Sequence, residues 1–285
     1  LSDHPVHHSI IRGGPYAGKS LRELMEHHRQ ALLGTAAPRY ERFPWLVKFL
    51  DAADWLSVQV HPDEKTVSRW LPGEGSKTEA WFVIDAAPGS RIYAGLLPGV
   101  DQDRLLHALR QGTVAECLHS FEPRPGDCVF LPAGTVHAIG GGVLLAEVQQ
   151  TSDATFRLFD WNRVDSQGKS RQLHIEESLA SIHWDQGPVQ PRRVPLSSAS
   201  EAHRRWPLVE CPHFVLEYVE ASRPVAWGGS GRLQVLIVLD GAGQVETGPG
   251  PYSIARGEVL LLPAAMPQVR CSPAPRLRGL LCTLP

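Results

Sequence analysis

The chain contains the stretch RPGDCVFLPA at Arg124–Ala133 and a similar stretch, ARGEVLLLPA, at Ala255–Ala264. In each, a glycine and an acidic residue precede a run of apolar residues that ends in proline and alanine. The two stretches are 131 residues apart, from Gly126 to Gly257. A glycine turn followed by a short apolar strand and a proline stop is typical of the hairpins of jelly-roll β-barrels. The repeat therefore predicts two related β units in one chain.

A second stretch, WLSVQVH at Trp55–His61, alternates apolar and polar residues. Because alternate residues of a strand point to one face, Ser57, Gln59 and His61 are expected to project together. A surface strand has no need of a glutamine and a histidine side by side, whereas a metal site does. The stretch therefore indicates two metal ligands, Gln59 and His61.

Two further donors adjoin apolar β runs, Glu79 before AWFVI and His137 within LPAGTVHAI. Two imidazole nitrogens, a carboxylate oxygen and an amide oxygen together suit zinc. The repeat offset places Gln268 where the first unit has His137, so only the first unit keeps this histidine. We therefore predict one metal site, in the first unit.

The composition excludes several classes of protein. The chain has 285 residues, which is enough to bury a large core. Its net charge is −2 and it has no run of basic residues, which argues against a nucleic-acid partner. No apolar run approaches the ~20 residues of a membrane span, and the first residues do not resemble a signal peptide. Five scattered cysteines without a Cys-x-x-Cys motif are typical of reduced thiols, which favours the cytoplasm.

The pattern along the chain predicts a mainly β fold with a few short inserted helices. Residues 19–33 have helical spacing, with Ser20 as cap and Gly34 at the end, and residues 101–118 return to that spacing. Most other apolar runs are short and separated by proline and glycine. We expect a metal-binding unit at 1–184, a Pro- and Ser-rich linker at 185–205, and a β unit without metal at 206–285.

One glycine-rich stretch, GGPYAGKS at Gly13–Ser20, formally matches a phosphate-binding loop and leads into the first predicted helix. Only a four-residue strand would precede it, and no alternation of strands and helices follows. The sequence therefore favours a turn that caps the helix over a nucleotide site.

Several motifs occur in a fixed order, and together they are far more specific than any one of them. They are FPWLVKFLDA at Phe43–Ala52, LSVQVHP at Leu56–Pro62, GSKTEAW at Gly75–Trp81, PGD at Pro125–Asp127, LPAGTVHAI at Leu131–Ile139 and EVQQTSDATFRLFDWNR at Glu147–Arg163.

With these motifs the chain resembles the type I mannose-6-phosphate isomerases, the zinc-dependent phosphomannose isomerases of the cupin superfamily, in their short bacterial form. The agreement extends over most of residues 1–183. It is weaker in the last hundred residues, where the family carries a second, degenerate cupin unit. Family members also have a β segment with a Trp-Gly-Gly motif ahead of the position that matches Leu1.

The resemblance implies an enzyme that interconverts mannose 6-phosphate and fructose 6-phosphate, with one zinc ion per chain. It implies that Gln59, His61, Glu79 and His137 ligate the zinc. It places Arg157 and Lys77 at the reacting carbons, Arg157 in a catalytic role. Ser57 and Lys48 match residues of the pocket and are candidates for phosphate contact.

The chemistry of the reaction adds one more residue. A proton moves between two carbons through a cis-enediol(ate), so an electrophile and proton carriers are needed. Glu147 is a candidate carrier, although it could equally orient a metal ligand. Without the family match, Arg157 would be expected in an ion pair with Asp153 or Asp160.

Three alternative functions remain at the level of sequence. One is a non-catalytic zinc cupin that binds a sugar phosphate, and another is a cupin isomerase for a different hexose 6-phosphate. A cupin oxygenase is disfavoured, because it prefers iron and more open coordination positions. Neither nucleic acid nor membrane is expected as a partner, and the sequence does not predict an oligomeric state.

Overall fold

A computed structural model describes residues 1–4, 7–195, 202–248 and 250–285 of the chain. These residues form two compact units, one of Val47–Arg193 and one that combines Leu1–Leu46 with Val194–Pro285. Antiparallel strands dominate both units, and the predicted mainly β class is confirmed. None of the helices has the length and apolarity that would be needed to cross a membrane, as far as the described residues extend.

Four α-helices are inserted between the strands: α1 Leu21–Leu33, α2 Glu64–Trp70, α3 Gln102–Gln111 and α4 Ile175–Ser181. The first predicted helix is confirmed as α1, because Ser20 and Glu23 form the reciprocal capping box that the sequence indicated. The second predicted helix is shorter than expected: α3 ends at a left-handed Gly112, and a separate 3-10 turn covers Val114–Cys117.

The strands of the first-described unit are β1 Trp45–Ala52, β2 Val58–Val60, β3 Glu79–Ala86, β4 Ile92–Leu96, β5 Leu118–Phe121, β6 Asp127–Leu131, β7 His137–Ile139, β8 Val143–Gln150, β9 Phe156–Phe159 and β10 Arg192–Arg193. They form two five-stranded sheets, in the orders β1-β8-β3-β6-β10 and β5-β4-β7-β2-β9.

The two sheets of this unit share an apolar core. Trp81, Val129 and Leu145 of the first sheet belong to the same buried cluster as Ile92 and Ile139 of the second. Within β3, β4, β6 and β8 the residues of this cluster are two positions apart, so each sheet has one face directed at the other. The polar residues of the candidate site interrupt this apolar interior.

The other unit contains α1 and seven strands: β11 His203–Glu210, β12 Val215–Ala221, β13 Val225–Trp227, β14 Gln234–Thr247, β15 Gly250–Ala255, β16 Val259–Leu262 and β17 Val269–Thr283. The main path of its sheet is β11-β12-β17-β14-β15, with β13 paired to β17 and β16 paired to β14. As predicted, no described residue after 206 is helical.

The repeated stretch forms the same turn in both units. Gly126 and Gly257 have φ of 92° and 86°, a conformation that favours glycine. In the first copy the side chain of Asp127 accepts a hydrogen bond from Arg124 N, and in the second Glu258 does the same for Ala255 N. The structure therefore supports two related β units, and the acidic residue after each glycine has a structural role.

The observed units differ from the sequence-based division at both boundaries. Residues 1–46, which the sequence placed with the metal unit, pack with the C-terminal strands: Ala264 N donates to Leu32 O at 3.0 Å. The expected linker at 185–205 contains β10 and the start of β11, while its residues 196–201 lie outside the described residues. Long-range strand pairing and helix packing determine these boundaries, and local composition does not reveal them.

Candidate metal centre

Backbone register aligns three of the predicted site residues on neighbouring strands. Gln59 of β2 is paired with His137 of β7 on one side and with Arg157 of β9 on the other. Directly opposed residues of antiparallel strands project from the same face of the sheet. The strand β2 is short, and Ser57 and His61 lie just outside it, so regular alternation does not by itself orient those two side chains.

The other sheet contributes acidic and amide residues at matching positions. Glu79 and Trp81 of β3 are paired with Gln149 and Glu147 of β8. The ring of Trp81 packs edge-on against that of His137, with centroids 5.2 Å apart, so these faces of the two sheets meet. Glu79 is thereby brought beside the histidines of the opposite sheet.

Side chains of His61, Glu79 and His137 converge at one point of the interior. Their candidate ligand atoms all lie within 4.8 Å of one another, and all three residues are buried. The Nε2 atom of His61 is 3.2 Å from one oxygen of Glu79, and Nε2 of His137 is 3.5 Å from the other. Among the residues that the structure describes, this is the one histidine, cysteine and carboxylate group of this kind.

Hydrogen bonds to backbone carbonyls fix the tautomer of both histidines. Nδ1 of His61 is 2.9 Å from Ala154 O, and Nδ1 of His137 is 2.8 Å from Thr135 O. A carbonyl oxygen can only accept, so each Nδ1 carries the proton. Each Nε2 therefore presents a lone pair to the point where the side chains converge, as metal-ligating histidines do.

Two of the converging atoms lack a hydrogen bond. Both Glu79 Oε2 and His137 Nε2 are buried and without a hydrogen bond in the described part of the chain, although Glu79 Oε2 is in ionic contact with the ammonium of Lys77 at 3.1 Å. Buried polar atoms without partners are costly, and a cation bound among them would remove that cost. The donors present therefore fit a metal ion.

The ammonium group of Lys77 also reaches this cluster. Lys77 precedes β3, and its Nζ atom lies 3.1 Å from Glu79 Oε2 and 3.1 Å from His61 Nε2. Burial opposes its charge, but the carboxylates of Glu79 and Glu147 outweigh burial and raise the pKa of Lys77 above its ordinary value. Lys77 is therefore a buried, protonated cation at the site.

The charge states of the converging residues suit metal binding. Burial, together with the charge of Lys77, lowers the pKa of His61 to about 4. Burial also opposes ionisation of Glu79, but the charge of Lys77 and the nearby histidines hold the pKa of this carboxyl well below its usual range. Near neutral pH the site thus has a neutral imidazole and an ionised carboxylate, the forms that bind metal.

Lys48 and Glu147 form an ion pair on the same interior face. Lys48 Nζ is 3.2 Å from Glu147 Oε1 and donates to Gln149 Oε1 at 2.6 Å. Gln149 is fully buried, and its amide nitrogen donates to the carbonyls of Gln150 and Ser152. The sequence predicted Lys48 and Glu147 separately and missed Gln149, which only strand pairing brings to this position.

Arg157 has one hydrogen-bonded end and one buried, unsatisfied atom. Its NH1 group donates to Gln172 O at 2.8 Å, and its Nε is buried without a partner among the described residues. Asp160, a partner expected in the absence of the family match, instead forms ion pairs with Arg163 and Arg171. Ser57 is buried immediately before β2.

Comparisons with known proteins agree with this architecture. The family model described as phosphomannose isomerase type I, catalytic domain, matches residues 1–80. Mannose-6-phosphate isomerase ManA of Bacillus subtilis is 36% identical over 256 residues, which cover 90% of this chain and 79% of the relative. The mannose-6-phosphate isomerase of Streptococcus mutans is 35% identical, with 92% of this chain and 81% of the relative covered.

A solved structure shows the same fold over nearly the whole chain. The crystal structure of the mannose 6-phosphate isomerase from Bacillus subtilis superimposes with a TM-score of 0.83 at 27% identity, covering 99% of this chain and 87% of that one.

Fold and site together define a class of antiparallel β proteins with a buried histidine–carboxylate cluster that could hold a metal ion. Within that class, the chain belongs to the type I phosphomannose isomerase family, and the resemblance inferred from sequence is confirmed.

Proposed function

We propose that this chain is a zinc-dependent aldose–ketose isomerase that interconverts mannose 6-phosphate and fructose 6-phosphate through a cis-enediol(ate). The observation that carries the proposal is the buried convergence of His61, Glu79 and His137, with Lys77 beside them. Relatives that bear the name of this activity cover most of the chain.

One zinc ion per chain would be held by His61, Glu79 and His137, with the amide oxygen of Gln59 as fourth ligand. The register of Gln59 opposite His137 supports that assignment. The bound ion would supply positive charge that polarises a substrate oxygen. Neutral histidines, one carboxylate and one amide leave that positive charge only partly neutralised.

Three side chains are assigned to the reaction itself. Arg157 stabilises the developing oxyanion, because its guanidinium is permanently charged and it stands beside Gln59 in the sheet. Lys77 contributes a buried cation beside Glu79 and His61. Glu147, buried and paired with Lys48, carries protons between the substrate hydroxyls.

The phosphate group is assigned to Ser57 and Lys48, at the margin of the interior. Lys48 is partly exposed, with 39% of its side-chain surface accessible, so an anion from solvent can reach it. The substrate is thus a small sugar phosphate.

All five cysteines are free thiols, which supports a cytoplasmic location.

The test is a coupled assay for fructose 6-phosphate formed from mannose 6-phosphate by metal-stripped protein, with and without added zinc. We expect turnover only with zinc, and a loss of about 10²–10³-fold in kcat for Arg157→Ala. Arg91→Ala is the matched control, since Arg91 is exposed in the same unit.

Other outcomes separate the alternatives. Stoichiometric zinc without turnover of any hexose 6-phosphate would identify a sugar-phosphate-binding cupin. Turnover of glucose 6-phosphate in place of mannose 6-phosphate would identify an isomerase of different specificity. Equal activities of the two arginine variants would remove Arg157 from the mechanism.

A further inference from the structure

Residues His183–Gln186, which begin two positions after the end of α4, form a turn against the two loops that carry the histidines of the site. The turn is closed by Gln186 N donating to His183 O at 3.1 Å. Neither the motifs nor the spacing of the sequence points to these residues. The turn and the two loops that it contacts all belong to the Val47–Arg193 unit.

The backbone of this turn is fixed to the loop that precedes His137. His183 N donates to Gly134 O at 3.0 Å, and Gly134 N in turn donates to His61 O at 2.8 Å. A chain of backbone hydrogen bonds thus runs from the turn through Gly134 to the residue His61 itself.

The ring of His183 lies directly on Gly134. A Cβ atom at that position would come within 2.4 Å of the ring, and Gly134 also has a φ of +88°. No other residue type fits here without displacing the ring. The close approach shows that the loop and the turn are packed together as one surface.

Side chains of the turn reach both loops. His183 Nε2 is 3.1 Å from Asp63 Oδ2, two residues after His61. Gln186 Nε2 donates to Thr135 Oγ1 at 2.6 Å, and Thr135 Oγ1 donates to Pro132 O, also at 2.6 Å. The hydroxyl of Thr135 is therefore held from two directions.

Thr135 matters because its carbonyl orients a ligand. The Nδ1 proton of His137 is donated to Thr135 O at 2.8 Å, which sets both the tautomer and the ring direction of His137. Fixing the Thr135 hydroxyl restrains the backbone of that residue. Outer-shell partners of ligating histidines tune metal affinity in this way.

We propose that the His183–Gln186 turn is a positioning element for the histidines of the metal site, with Gln186 acting on His137 through Thr135. The inference rests on the proposed function, because it assumes that His61 and His137 bind metal. Gln186 is a positioning residue, since it contacts no ligand atom of the cluster. The turn holds His137 in the orientation that the metal requires.

The test compares Gln186→Met with Gln190→Met in the full chain, after metal is stripped and Co²⁺ is added. Methionine keeps the length of glutamine but removes the donor to Thr135. Gln190 is a matched control, because it is exposed and its amide meets His119 and no residue of the site. The readouts are the visible absorption spectrum of bound Co²⁺ and the dissociation constant obtained with a competing chromophoric chelator.

We expect Gln186→Met to weaken Co²⁺ binding by about 10–100-fold, the usual effect of losing an outer-shell partner, and to shift the absorption bands. Gln190→Met should match the unaltered chain in both readouts. A purely structural role for Gln186 would lower thermal stability without moving the spectrum of the folded, metal-loaded protein.

The outcomes are distinguishable. If the unaltered chain binds no Co²⁺, the metal site of the proposed function fails and the inference fails with it. If it binds and Gln186→Met is unchanged, only the positioning role is overturned. Should Gln186→Met not fold, Thr135→Val removes the same hydrogen bond from the other end, and Thr135→Ser, which keeps the hydroxyl, should restore the spectrum and affinity.

Discussion

The role of a residue in the site depends on the groups that it contacts as well as on its own chemistry. Lys48 is an example, because family resemblance indicates phosphate contact while the structure gives its ammonium two partners, Glu147 and Gln149. The two roles are compatible only if the phosphate joins an existing ion pair. Kinetics can separate them.

For Lys48→Met we expect kcat to fall by about 10-fold, with a smaller change in KM, because Glu147 loses a charge-assisted hydrogen bond worth about 1.5–3 kcal/mol. The measurement is steady-state kinetics with mannose 6-phosphate, and Lys169→Met serves as the control with an exposed lysine of the same unit. A rise in KM with kcat unchanged would show instead that Lys48 acts on the phosphate alone and not through Glu147.

In the Val47–Arg193 unit, a second group of charged residues, away from the metal cluster, joins the segments that flank β2 and β9. Asp160 follows β9 and is largely buried, with ion pairs to Arg163 and Arg171. Arg163 also donates to the carbonyl of Trp55, and the indole of Trp161 donates to Leu56 O at 2.7 Å. This cluster therefore fastens the segment before β2 to the segment after β9.

Replacement of Asp160 by asparagine should lower the free energy of unfolding by about 1–2 kcal/mol at pH 7, less than for a fully buried pair because both arginines are partly solvated. Burial opposes ionisation of Asp160, but the two arginines hold its pKa below the ordinary value. Its contribution is therefore fully present above the unfolded pKa of about 3.9 and is lost as the pH falls through the folded pKa.

Urea unfolding of the unaltered chain and of Asp160→Asn at several pH values checks this expectation. The difference between the two should be constant from about pH 8 to pH 5 and should shrink only below about pH 4. Asp103→Asn, at an exposed position of α3, is the control. A difference that grows in acid would contradict the assignment.

At the scale of the whole molecule, all the residues proposed to bind zinc belong to the Val47–Arg193 unit. Binding to the folded form alone stabilises whatever part must unfold to release the ligand. We expect zinc at about 100 times its dissociation constant to stabilise this unit by about 2.7 kcal/mol.

Hydrogen exchange followed by mass spectrometry tests that expectation peptide by peptide. Zinc should slow exchange in peptides from residues 47–193 more than in peptides from 202–248 and 250–285. A parallel sample with excess chelator is the control. Equal protection in both sets would show that the two units unfold together.

The sequence alone determined much of this protein. The turn of Gly126 and Asp127 and its copy at Gly257 and Glu258 are local, because each closes by bonds within four residues. The cap of α1 is equally local. Donor chemistry beside apolar runs predicted His61, Glu79 and His137, which the structure brings together, and family motifs added the proposed activity.

Tertiary structure alone decided the rest. Three contacts join distant residues: Lys48 with Gln149 across 101 positions, His61 with the carbonyl of Ala154 across 93, and Gln186 with Thr135 across 51. The assignment of residues 1–46 to the C-terminal unit depends on packing as well. Such contacts form only when strands pair, and no local pattern encodes which distant partner a polar side chain will meet.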